Sequence, residues 1–255
     1  MAVVRGLDIF RQHFAEFTDR YVLIGGVAAA LAMSEADLPF RATKDLDLVL
    51  VVEALDASFG EHFWCFIEAG GYEIRQKSDG QPQFYRFQKP ANFSYPVMLE
   101  LFSRVPDGLQ LHDQAHLTPI PLDEVVSSLS AILLDDKYYE FIVAGRRTSG
   151  DVTWVDADRL IPLKAHAWLD LSARRQAGEG IDSRNVSKHL ADVLRLSQLL
   201  SPDERVELPE RVAVDFQRFL ELLPEQAPDL RSLNLGRITL PVLIERLRAV
   251  YGFGH

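Results

Sequence analysis

Thr43-Lys44-Asp45-Leu46-Asp47-Leu48-Val49-Leu50-Val51-Val52 alternates acid with leucine and then runs apolar, the pattern of a strand entering a core. Successive side chains on a strand point to opposite faces. Asp45 and Asp47 therefore share one face, and Leu46, Leu48 and Leu50 share the other, which is expected to pack on helices. The two aspartate Cα atoms should lie roughly 6.5–7 Å apart along the strand. Two carboxylates in an apolar strand repel each other and cost free energy to desolvate without a cation. A hard divalent ion such as Mg²⁺ chooses oxygen ligands and would supply that charge. From these residues alone, a pair of solvent-facing aspartates at a strand start is an equally good reading.

Upstream, Tyr21-Val22-Leu23-Ile24 is a compact apolar strand that stops at Gly25-Gly26. Val27 to Met33 is rich in alanine and leucine and reads as a helix. A strand that runs through two glycines into a helix gathers backbone N–H groups and a helix start at one spot. Such a spot attracts phosphate, and glycine lets it approach the main chain closely. A simple tight turn would use the same two residues. Before this unit, Leu7 to Phe17 has the spacing of a short amphipathic helix.

Downstream, Asp56 to Glu68 is helical in periodicity and stops at Gly70-Gly71. Tyr72–Lys77, Gln83–Gln88 and Pro96–Phe102 are strand candidates, with Asp79-Gly80 as a hairpin signal between the first two. Glu100 stands in Val97-Met98-Leu99-Glu100-Leu101-Phe102, and a charge in an apolar strand needs a partner. A metal ion beside the aspartates is one such partner, with Glu100 as ligand or general base. A buried salt bridge to an arginine is the other.

The stretch 105–126 reads as an irregular connection, Ser130–Leu134 and Asp151–Val155 as short strands, and Asp136–Ala144 as a helix. From Asp158 onward the pattern is helical: Leu160–Gln176, Val186–Leu200, Leu208–Leu223 and Pro241–Tyr251, punctuated by Ser201-Pro202 and Pro224. The fold class is thus α+β, with a first domain over residues 1–156 and a helical domain over 157–255.

With 255 residues, 47% of them hydrophobic, the chain can bury a substantial core. The only cysteine, Cys65 between Trp64 and Phe66, rules out an internal disulfide framework and reads as a buried residue in a reducing compartment. After Met1–Arg5 the pattern turns amphipathic rather than signal-like, and no apolar run approaches the ~20 residues needed to span a bilayer. The expected location is cytoplasmic. The net charge of −10 is uneven: residues 1–136 hold 20 acidic against 10 basic side chains, whereas 137–195 hold 8 against 10. An acidic front half suits a cation, and a basic middle suits phosphate. Avid non-specific DNA binding is disfavoured. Arg146, Arg147, Arg174, Arg175, Arg184 and Lys188 either border a site for RNA or are solvated charges at helix ends.

Gly25-Gly26 on a strand–helix turn, Asp45-x-Asp47, and Glu100 on a later strand together resemble the nucleotidyltransferase superfamily related to DNA polymerase β. That resemblance implies a mixed-sheet core flanked by helices, and an acidic triad holding two Mg²⁺ ions, ~3.5–4 Å apart in such two-metal sites. The substrate would be an NTP. Arg41-Ala42-Thr43-Lys44-Asp45-Leu46-Asp47 is similar to the Arg-x-Thr-x-Asp-x-Asp motif of the AbiEii-type and MenT-type toxins. That family carries a later helical lysine and aspartate, which fall here on Lys164 and Asp192. The likeness implies that Lys164 contacts the nucleotide phosphates and that Asp192 positions it or assists as a base. It also implies a helical domain that completes the active-site cleft, an RNA acceptor (the tRNA 3′ end) and a cognate antitoxin.

The residues read alone keep plainer roles open: Lys164 as a surface lysine, Asp192 as an i,i+4 partner of Lys188. One departure stands out. Many superfamily members follow the glycine pair with Ser or Thr, and this chain has Val27. Two other functions stay open, transfer to a small molecule or protein, and a degenerate, non-catalytic binding member.

Overall fold

The computed structural model describes residues 4–74, 84–102 and 135–254. The chain divides into two compact units, Met1–Asp156 and Ala157–His255.

The first unit is built on a mixed sheet. In chain order its elements are α1 (Leu7–His13), β1 (Tyr21–Ile24), α2 (Gly25–Glu35), β2 (Asp45–Leu50), α3 (Ala57–Gly70), β3 (Glu73–Ile74), β4 (Phe84–Gln88), β5 (Met98–Phe102), α4 (Asp136–Ala144), β6 (Arg146–Ser149) and β7 (Val152–Val155). Among the described residues the sheet has seven strands, ordered β3-β4-β5-β2-β1-β7-β6. β2 lies at its centre, antiparallel to β1 and parallel to β5.

Register then decides what each face carries. Tyr21 and Leu23 lie opposite Leu50 and Leu48, while Leu46 and Leu48 lie beside Leu99 and Leu101. All seven are buried. This face receives the aromatic residues of α1 and α3: the Phe10 ring meets Tyr21 edge-on at 5.1 Å, and Phe63 lies 5.6 Å from Phe87. The leucines of β2 therefore pack on helices. Asp45, Asp47 and Glu100 belong to the opposite face.

Local chemistry explains the helix ends. Asp56 caps α3 by accepting a hydrogen bond from the Phe59 N–H, and Gly71 ends that helix in the left-handed conformation at φ 61. Asp135 caps α4 by accepting from the N–H groups of Lys137 and Tyr138. Three points differ from the sequence reading. First, α2 begins at Gly25 itself, so the diglycine forms the helix's first residues instead of a bend before it. Second, Cys65 is exposed. Phe59, Phe63, Phe66 and Ile67 form the buried stripe of α3 at three- and four-residue spacing, and Cys65 falls off that stripe. Third, β6 had no signal, because Arg-Arg-Thr-Ser forms a largely exposed edge strand without apolar alternation. The Asp79-Gly80 turn, the 105–126 connection and the Ser130–Leu134 strand lie outside the described residues.

The second unit is helical: α5 (Ala157–Gln176), α6 (Ser183–Leu196), α7 (Glu210–Leu222) and α8 (Leu240–Val250). Val186, His189, Val193 and Leu196 form the buried stripe of α6. Trp168 of α5 meets Phe219 of α7 edge-on at 5.5 Å, and Phe216 lies 4.6 Å from Tyr251. Among the described residues no helix is long and apolar enough to cross a membrane.

One bond in this unit repairs a defect of the sequence. Pro162 sits inside α5, where it has no N–H to offer the carbonyl of Asp158 four residues earlier. The Tyr251 hydroxyl donates to that same carbonyl at 2.9 Å. Burial pushes the phenol's pKa well above its usual value, so it stays a donor. Tyr251→Phe is expected to cost about 1 kcal/mol in denaturant unfolding, the net contribution of one hydrogen bond to a partly buried acceptor. In a Pro162→Ala background residue 162 regains its N–H, and the cost of Tyr251→Phe should shrink.

Candidate active site

The polar face of the central strands is assembled around one contact. Asp47 lies opposite Ile24 on β1 and beside Glu100 on β5, so its side chain emerges next to the start of α2. Gly25 there has φ +67, in the left-handed region that favours glycine. A Cβ on Gly25 would collide with the Asp47 Oδ2 and would stand 2.9 Å from its Cγ. The carboxylate thus occupies space that only a glycine leaves open. Gly26 receives the next two side chains on the same side of the segment entering β2. A Cβ there would lie 2.6 Å from the Thr43 Oγ1 and 3.6 Å from the Arg41 Nη2. Residues 41, 43, 45 and 47 are at two-residue spacing, which sends alternate side chains of an extended chain to one face. Asp45 and Asp47 are both partly exposed.

Glu100 lies beside Asp47 in the register of β2 and β5, and it has a cross-strand partner of its own. It is 6% exposed and lies opposite Arg86 on β4. The Arg86 Nε and Nη2 both donate to Glu100 Oε1, at 2.7 and 2.6 Å. Of the two partners the sequence allowed, the structure displays the arginine. A buried carboxylate needs countercharge, and a cross-strand guanidinium provides it through charge-assisted bonds. Among the described residues no group of three or more His, Cys, Asp or Glu side chains is placed to hold a metal ion. Arg86 carried a signal that went unread: a charge between Tyr85 and Phe87 is the same anomaly as Glu100.

In the helical unit, Lys164 and Asp192 meet. The Lys164 Nζ donates to Asp192 Oδ2 at 2.8 Å, and both residues are buried, at 1% and 0% exposure. Lys164 lies beyond the first turn of α5, because that helix begins at Ala157. Neither residue is the surface group that their local sequence allowed. Arg195 stands 4.0 Å from the other Asp192 oxygen.

Among the six basic residues considered for RNA, Arg147, Arg174 and Arg184 have acidic neighbours. Arg147 pairs with Glu35 and Asp156 and lies over the Trp154 ring at 4.7 Å. Arg174 pairs with Glu179 at 2.7 Å and Asp170 at 3.6 Å, and Arg184 with Asp182 at 3.0 Å. Arg146, Arg175 and Lys188 are exposed.

The sequence matches no family model and no curated protein. Solved structures that resemble the chain include the following three. An antigenic nucleotidyltransferase-like protein from Paracoccidioides brasiliensis is 16% identical over 91% of this chain and 94% of its own, with a TM-score of 0.47. The antibiotic-resistance factor ANT(2'')-Ia is 8% identical over 86% and 95%, at 0.37. The Megavirus polyadenylate synthase is 12% identical over 89% and 45%, at 0.29. Likenesses this distant carry no chemistry across, and the functional case rests on this chain's own residues.

Two outcomes follow from the geometry. Gly25→Ala should destabilise the first unit by about 1–2 kcal/mol through the left-handed backbone alone. It should also displace the Asp47 carboxylate, seen as shifted NMR signals along β2. In the helical unit, Lys164→Met or Asp192→Leu alone should cost about 3–5 kcal/mol in denaturant unfolding, because each strands a buried charge. The double variant should recover most of that loss.

Proposed function

We propose that the chain is a metal-dependent nucleotidyltransferase that moves a nucleoside monophosphate from an NTP to an acceptor hydroxyl. The observation that carries this reading is the Asp47 carboxylate lodged at Gly25, on the same strand face as Asp45. It supports a hard cation bound beside backbone N–H groups at the start of a helix, which are suited to phosphate.

The donor set fits magnesium in one particular way. Mg²⁺ is commonly held by one or two carboxylates, with water and substrate phosphates completing its octahedron. Asp45 and Asp47 are such a pair, and the NTP would provide the rest. Arg86 holds Glu100 through Oε1, so Oε2 is the atom that would join them, and the pair keeps the neighbouring strand rigid. Bound ions would supply the charge neutralisation that displacement at the α-phosphorus requires, two of them by family likeness. In the reaction the acceptor oxygen forms a bond to the α-phosphorus, the α–β phosphoanhydride bond breaks, pyrophosphate leaves, and the hydroxyl proton passes to base. The chain's own work is positioning and electrostatics: Asp45 and Asp47 hold the cation, and the N–H groups at Gly25-Gly26 orient phosphate oxygens.

The finer part of the proposal follows the Arg41-x-Thr43-x-Asp45-x-Asp47 motif together with the Lys164–Asp192 pair. On that likeness the acceptor is RNA, at the tRNA 3′ end, and the protein acts as the toxin of an AbiEii-type pair with a cognate antitoxin. A second reading, a non-catalytic binding member, is favoured by the bond between Arg86 and Glu100.

Incubation with each α-labelled NTP, Mg²⁺ and total RNA decides between them. The reading expects label on RNA of tRNA size, reduced on the order of 10³-fold by Asp45→Asn or Asp47→Asn, the scale of losing a strong transition-state stabiliser. Expression of the wild type should slow growth, and the same substitutions should relieve it. Label on small molecules or protein would keep the transferase and replace the acceptor. No transfer to any acceptor in extract would leave the binding reading.

A further inference from the structure

Phe93 stands 81% exposed in the turn that joins β4 to β5, and among the described residues it is the only aromatic side chain left open to solvent. That turn is fastened at both ends. The N–H groups of Ala91 and Asn92 donate to the carbonyls of Gly71 and Gly70, at 3.0 and 3.1 Å, which ties the turn to the end of α3. The Ser94 N–H donates to Asn92 Oδ1 at 3.0 Å, and Tyr95 packs on Phe66 at 4.8 Å. An apolar ring held in water by a fixed turn gains free energy when a ligand covers it. The Arg5 guanidinium lies over this ring, 5.4 Å from its centroid. Gly6 allows that approach, since a Cβ there would fall 2.1 Å from the Pro96 nitrogen. The Arg5 Nε and Nη2 are covered and have no hydrogen-bond partner among the described residues. Donors in that state favour an incoming oxygen.

Strand register places the turn. Gln88 lies opposite Met98 across β4 and β5, and Met98 lies beside Asp45 on β2. The turn therefore occupies the end of the sheet at which the acidic strand begins, and the Val97 N–H donates to the Lys44 carbonyl at 3.3 Å. Two exposed cations bracket it, Lys89 at its start and Lys44 beside its end. Lys89 also meets Glu73 at 3.1 Å, an exposed pair of the kind that contributes little. We infer that Phe93 and Arg5 form a stacking platform for one unpaired base of a single-stranded nucleic-acid acceptor, with Lys44 and Lys89 beside its phosphates. The inference rests on the transferase reading and adds where the acceptor strand is held. Every base has a π-face, so an aromatic ring flanked by cations holds a single strand with little regard to sequence. A protein partner would call for a broader apolar patch. Among the described residues of the first unit, no second large apolar side chain is exposed beside Phe93.

Fluorescence anisotropy of a short fluorescein-labelled oligoadenylate with the full chain, in EDTA and without NTP, tests this apart from metal and chemistry. The wild type should bind. Phe93→Ala should weaken binding about tenfold, the scale of one lost base stack. Phe93→Leu keeps an apolar surface and loses the π-face, so it should fall close to Phe93→Ala, whereas Phe93→Trp should equal or exceed wild type. Arg5→Gln should weaken binding and lower its dependence on salt. An abasic strand of the same length should bind wild type and Phe93→Ala alike. The ring is already in water, so the Phe93 variants should keep the wild-type thermal midpoint. Absence of binding to the wild type, or equal binding by Phe93→Ala, overturns the platform. Wild-type binding by Phe93→Leu also overturns it, because the contact is then apolar and not a stack. The labelled-NTP assay on the same proteins separates the two claims, and Phe93→Ala should there raise KM for RNA and leave KM for NTP unchanged. Transfer with binding indifferent to Phe93 sinks the platform and keeps the transferase. Binding that depends on Phe93 without transfer to any acceptor keeps the platform and sinks the transferase.

Discussion

A carboxylate pressed against a glycine is the constraint around which the first unit is arranged. Asp47 can lie where it does because Gly25 has no side chain and adopts a backbone angle that other residues resist. The antiparallel pairing of β1 with β2 sets Ile24 opposite Asp47, and so delivers the first turn of α2 to the acidic strand. The parallel pairing of β2 with β5 then brings Glu100 alongside. Aromatic packing of α1 and α3 on the other face holds these strands in register. A slip of one residue would exchange buried leucines for aspartates, and the cost of burying two carboxylates opposes it.

Charges removed from water recur in both units, each answered by its own partner. Glu100 is answered by Arg86 across two strands, and Asp192 by Lys164 across two helices. Neither pair needs to add net stability to matter, because breaking one partner is far costlier than never having placed the pair. The consequence is rigidity: a strand beside Asp47 that is tied to its neighbour, and a lysine held at one position on α5. Tyr251 does the same for the backbone by supplying the bond that Pro162 withholds.

Much of this was legible in the sequence, for reasons that also explain what was not. Period-two alternation placed Asp45 and Asp47 on one face and the leucines on the other, because that property belongs to the strand and needs no tertiary knowledge. Lys164 and Asp192 were singled out only by family likeness, since local spacing describes them equally well as surface charges. Their burial depends on how α5 meets α6. Glu100 announced that it needed a partner, but strand order decided which, and strand order is a non-local outcome. Arg41 and Thr43 stood in plain view four and two residues before Asp45. Their convergence on Gly26 became visible only once β1 and β2 were paired. Cys65 was misjudged on residue type alone, and the aromatic stripe of α3 settles its side.

The polar face where Asp47 meets Gly25 is the proposed cation site. Paramagnetic broadening of amide NMR signals by substoichiometric Mn²⁺, with an NTP present, locates such a site directly. Selective loss of the signals of Gly25, Gly26 and residues 45–47, abolished by Asp47→Asn, is the expected result. Broadening centred elsewhere, or unchanged in that variant, would contradict it.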